Sequence, residues 1–75
     1  MPKYFFHLKD HVAEIDGIGT DIANVAKARA EAIKFAGGVL AEDPSLLDQN
    51  YLSVVTCDED DRPLFTVEIR VKDPD

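Results

Sequence analysis

The sequence is short of thiols, basic side chains and long apolar runs, and each shortage removes a class of function. A single cysteine, Cys57, cannot close a disulfide within the chain, so no covalent framework of the secreted kind is available. No stretch approaches the ~20 apolar residues that span a bilayer, or the shorter apolar core of a secretory leader. Both point to a cytoplasmic protein with no membrane partner. Eight Lys and Arg stand against fifteen Asp and Glu, a net charge of -7. That surface repels phosphates, whereas sequence-independent nucleic-acid binding needs a basic patch, so nucleic acid is not an expected partner.

What is present is enough for one small domain. The 75 residues are 45% hydrophobic and 31% charged, which is globular rather than disordered composition. A core of this size contributes only about 3–5 kcal/mol, so part of the apolar surface is a natural place for a second copy of the chain.

Lys3 to Lys9, KYFFHLK, alternates Tyr4, Phe6 and Leu8 against Phe5, His7 and Lys9, the pattern of a strand. VAEIDGIGT follows, with Val12, Ala13, Ile15 and Ile18 available to a second strand that Gly17 and Gly19 would bend; the two strands make a hairpin. From Asn24 the period lengthens. Val25, Ala28, Ala32, Phe35, Ala36, Val39 and Leu40 form one stripe of a helix, capped by Asn24 or by Asp21. Gly37 and Gly38 either end that helix early or lie under something packed closely on them; the resumption of the stripe in VLAE favours close packing. Asp43, Pro44 and Ser45 stop it. YLSVVT and LFTVEIRV then read as two strands joined by an acidic corner, with Phe65, Val67, Ile69 and Val71 facing inward. The expected architecture is α+β in the order ββαββ, two antiparallel hairpins in one sheet with the helix across one face.

The acidic corner CDEDDRPLF is the most conspicuous local feature. Asp58, Glu59, Asp60 and Asp61 sit where the chain reverses, and Asp61 is the residue expected in the left-handed conformation. Read as a calcium loop starting at Asp58, the stretch fails: Arg62, Pro63 and Ile69 occupy positions that need an oxygen ligand, a glycine and a bidentate glutamate. Cys57 has no second thiol and no histidine at local metal-motif spacing, so it reads as a small core residue. His7 and His11 would be about 13 Å apart on a strand, too far to share an ion. His7 beside Glu68 or Arg70 is a conceivable acid–base pair if the first and last strands are neighbours, against the plainer reading of a polar contact on a sheet. The serines and threonines lack a nucleophile elbow, and Gly17 and Gly19 supply only a fragment of a phosphate-binding fingerprint. No catalytic residue, metal ligand or cofactor is assigned.

The sheet face away from the helix, or a free strand edge, is the expected surface for a homodimer. The face carries Phe5, His7, Thr66, Glu68, Arg70 and either Val54 or Val55, a mixture that suits a second copy of the chain or another protein. An ordinary amphipathic face with one exposed phenylalanine would look the same.

The opening MPKYFFHLKD, the helix ARAEA and the terminal VVTCDEDDRPLFTVEI resemble a family of short bacterial proteins, a domain of unknown function whose members open MPRYFFH. Lys3, His11 and Asp61 depart from that family's usual arginine and two glycines. The resemblance implies this fold and no activity or cofactor. The helix entry is also loosely similar to that of HicB-type antitoxins, without their third strand or DNA-binding tail. It implies an alternative function, an inhibitor that masks a basic protein partner with Asp58, Glu59 and Asp60.

Overall fold

The structure is a computed structural model, and it describes residues 1–9 and 14–74. Four strands make one antiparallel sheet: β1 (Lys3–Lys9), β2 (Thr20–Asp21), β3 (Tyr51–Cys57) and β4 (Pro63–Arg70). Their order across the sheet is β2-β1-β3-β4. The helix α1 (Val25–Glu42) lies on one face, and a short 3-10 turn, Pro44–Leu47, leads from it to β3. The ββαββ reading is therefore correct. Since β2 and β3 both run antiparallel to β1, they are parallel to each other, and α1 must cross β1 to connect them. That crossover places β1 and β3 side by side at the centre of the sheet.

Alternation along the strands sorts the residues into two faces. Phe6, Thr56 and Phe65 lie in one row and Leu8, Val54 and Val67 in the next, both facing α1. From the helix, Ala28, Ala32 and Ala36 are fully buried against them. Three alanines at every fourth position let the helix axis approach the sheet closely. The larger apolar residues of the helix are consequently displaced to its flanks: Val25 and Phe35, expected in the buried stripe, are both partly in solvent. Phe35 still reaches Phe6, with ring centroids 6.4 Å apart.

Asn24 caps α1, its side chain accepting the Lys27 N–H at 2.9 Å, and the buried Ile22 just before it packs with Tyr4 and Ala28. The helix continues through Gly37 and Gly38 to Glu42. Among the described residues, nothing outside the surrounding helix backbone lies within 4 Å of a Cβ built on either glycine, so the expected close packing is not seen. Val39 and Leu40, packed on the core beyond them, hold the helix together instead.

The first hairpin differs from expectation in the position of its second strand. Among the described residues, the second strand is Thr20 and Asp21 alone, paired with Tyr4 and Lys3 of β1, while Leu8 and Glu14 form an isolated bridge further along. Ile15 and Ile18 are exposed rather than part of a strand; Val12 and Ala13 fall outside the described residues. The cause is Asp16, whose carboxylate accepts the Phe6 N–H of β1 and also the Ile18 and Gly19 N–H groups. A side chain thus takes the place of a backbone ladder along that part of β1.

Candidate functional site

The second face of the sheet is where chemistry gathers. Phe5 lies opposite Cys57, His7 opposite Val55, and Ser53 opposite Glu68; Val55 rather than Val54 is the member of this face. Its lower part is open. Thr66, Glu68 and Arg70 are exposed, the Arg70 guanidinium bonds Glu68 at 2.8 Å and lies 5.6 Å from the centre of the Tyr51 ring. Its upper part is covered by two turns, one around Asp16 and one at 58–61, so that Phe5 is half-buried and His7 is only 8% exposed. Because β3 separates β1 from β4, His7 is not a strand neighbour of Glu68 or Arg70.

Gly19 lets the first turn come down. With φ at 78°, it occupies the left-handed region, and a Cβ there would stand 2.7 Å from Lys3 Cγ and 2.8 Å from Phe5 Cε2. The second turn is built by its own acids. Asp58 Oδ1 accepts the Asp60 and Arg62 N–H groups, Glu59 Oε1 accepts the Lys3 N–H, and Asp60 pairs with Arg62. Asp61 adopts φ 62°, as its sequence context requires, and a register shift between Thr56 and Cys57 re-aims the end of β3.

Between the turns, His7, Cys57 and Asp61 converge, one donor atom from each lying within 4.8 Å of the others. His7 Nε2 is 3.9 Å from Asp61 Oδ1, and both residues line a hollow of about 190 Å³ together with Asp16, Asp58 and Glu59. On the far side of the ring, Nδ1 accepts the Asp16 backbone N–H at 3.1 Å. In the neutral imidazole this places the proton on Nε2, facing Cys57 and Asp61. Burial pushes the Cys57 thiol up, and the Asp61 and Asp58 carboxylates push it further. Cys57 is thus a protonated thiol beside a nitrogen that already carries its proton, the reverse of an activated cysteine–histidine pair. For Asp16, burial raises the carboxyl, but the Gly19, Ile18 and Phe6 amides, with His7 adding to them, bring it below the ordinary carboxylate range.

Residues 3–70, from the first residue of β1 to the last of β4, match the family described as a domain of unknown function (DUF6894). The chain belongs to that family. No curated protein and no solved structure matches it. In this DUF6894 domain the His7–Cys57 proximity was missed by sequence reasoning because local spacing was the wrong measure. Fifty positions separate the two residues, and the antiparallel pairing of β1 with β3 brings them together. Asp16 was also missed; the Asp-Gly step at 16–17, a turn signal, was its only local mark.

Proposed function

We propose that this DUF6894 domain is a small protein-interaction and regulatory module that associates with a second copy of itself through the edge of β4, without catalysing a reaction. One observation carries the reading. β4 is an eight-residue strand at the end of the sheet, and apolar side chains are exposed beside it: Val25 at 48%, Ile33 at 54% and Leu64 at 40%. The other edge, β2, is only two residues long, a form that discourages pairing. A strand edge joined antiparallel to its own copy is self-complementary about a two-fold axis, and it would bring the two apolar flanks together in the same contact. The small core of the chain, with alanines in the helix contact row, leaves those larger side chains in need of cover. The protonated Cys57 and the orientation of His7 support the non-catalytic part of the reading. A free cysteine is in keeping with a cytoplasmic location.

Sedimentation equilibrium tests the proposal directly. The wild-type chain should reach twice its 8.3 kDa mass, and the double variant Ile33→Glu with Leu64→Glu should remain monomeric while keeping its helical circular dichroism. A monomer at every concentration, or a dimer indifferent to both substitutions, overturns it. The antitoxin-like alternative is less favoured because Asp58 and Glu59 already accept backbone amides and Asp60 is paired with Arg62. A salt-sensitive complex with a basic protein, lost on neutralising Asp60, would reinstate it.

A further inference from the structure

We propose that His7, Cys57 and Asp61 form a binding site for one thiophilic divalent cation, of which zinc is the best fit. This goes beyond self-association through β4 and does not depend on it. Three donor types, imidazole nitrogen, thiol sulfur and carboxylate oxygen, come from β1, β3 and the turn after β3 and meet within 4.8 Å. Donor atoms around tetrahedral zinc stand roughly 3.3–3.8 Å apart, given bonds of about 2.0–2.3 Å. His7 Nε2 and Asp61 Oδ1, at 3.9 Å, are nearly at that separation already. Asp61, whose side chain is 90% exposed, is free to turn inward.

Among the described residues, neither His7 Nε2 nor Cys57 Sγ has a hydrogen-bond partner, although the His7 side chain is nine-tenths buried and Cys57 is 4% exposed. Asp16, Asp58 and Glu59 give the hollow a largely negative lining beside Phe5 and Ile15. That field attracts a cation, whose coordination would convert the Cys57 thiol to thiolate. Sulfur and imidazole together select zinc over calcium or magnesium, which prefer oxygen alone. Three protein donors leave the fourth tetrahedral position to water.

Loading the site has a defined proton balance. Bonds form from the cation to Nε2, Sγ and the carboxylate; the Cys57 proton leaves to solvent, and the His7 proton moves from Nε2 to Nδ1. At Nδ1 it meets the Asp16 backbone N–H, two donors face to face, so that hydrogen bond must break and the segment around Asp16 must shift. One hydrogen bond is a small loss against three metal–ligand bonds.

The test uses the full reduced chain and cobalt(II) as a spectroscopic stand-in, followed by zinc. Expected are a thiolate-to-cobalt charge-transfer band that saturates at one equivalent, its loss on adding zinc, release of a proton per ion, and a shift of the Asp16 amide resonance. Cys57→Ser should abolish the band. Asp61→Asn, at an exposed side chain that leaves folding undisturbed, should remove the sharp one-equivalent breakpoint. Absence of a thiolate band, a breakpoint unchanged in Asp61→Asn, or equal competition by calcium would overturn the proposal, the last by showing only cation attraction to surface acids.

Discussion

The two faces of the sheet are made in different ways. The inner face is regular: alternate residues of β1, β3 and β4 meet a row of alanines on α1, and each contact follows from periodicity. The outer face is regular only in its lower half. Above that, the turn around Asp16 and the acidic corner at 58–61 fold over the strands and enclose His7 and Cys57. The inner face is held by non-directional burial, so neighbouring apolar side chains can substitute for one another. Directional contacts hold the outer one, and individual atoms of Asp16, Gly19 and Asp58 matter to it.

Substitutions can sharpen that contrast. The largest loss is expected inside: Leu52 is 1% exposed, and Leu52→Ala should cost about 2–5 kcal/mol, enough to unfold a domain of this size. Urea denaturation at several temperatures would register it, and a loss below about 1 kcal/mol would mean that the inner face is not the main source of stability. Next comes Gly19→Ala, which introduces both a disfavoured conformation and a clash with the Lys3 stem and the Phe5 ring. It should cost about 1–3 kcal/mol and change the environment of Phe5, visible in its aromatic proton resonances.

Asp16→Asn follows, with a cost of about 1–2 kcal/mol near neutral pH. Its pH dependence is diagnostic. The folded-state carboxyl of Asp16 is depressed, so its contribution is complete above the unfolded-state value and is lost as pH falls through the folded-state value. The urea midpoints of wild type and Asp16→Asn should therefore converge in acid; a constant gap would deny the carboxylate this role. The smallest effect has the opposite sign. Thr56 is fully buried between Phe6 and Phe65, and its Oγ1 has no hydrogen-bond partner among the described residues. Thr56→Val should raise stability by about 1 kcal/mol. If it destabilises instead, the inner face carries a directional contact after all, and the contrast between the faces weakens.

Much of this was legible in the residues. The alternation of β1 and of β4 as far as Ile69, the Asn24 cap, the stop at Asp43 and Pro44, and the left-handed Asp61 all appear where local chemistry demands them; Val71, expected inside, lies beyond β4 and is 42% exposed. The failures share a cause. Gly37 and Gly38 suggested a close neighbour, but whether anything approaches a helix surface depends on the rest of the fold. Val25 and Phe35 fit the helical period, yet small alanines took the contact row and left them at its sides. Ile15 and Ile18 looked like strand residues until one carboxylate captured the amides around them. Phe5 and His7 belong to the outer face as their alternation requires, but nothing in β1 announces that two turns will cover them.

The sequence by itself determined the element order and the faces on which the residues of β1 and of Phe65–Ile69 in β4 lie, because periodicity and capping act over a few residues and need no distant partner. Only the tertiary structure decided the strand order β2-β1-β3-β4, the exposure of the β4 edge, and the meeting of His7 with Cys57 and Asp61. Those depend on long-range pairing, in which residues fifty positions apart become neighbours through the register of two strands, and no local pattern encodes that register.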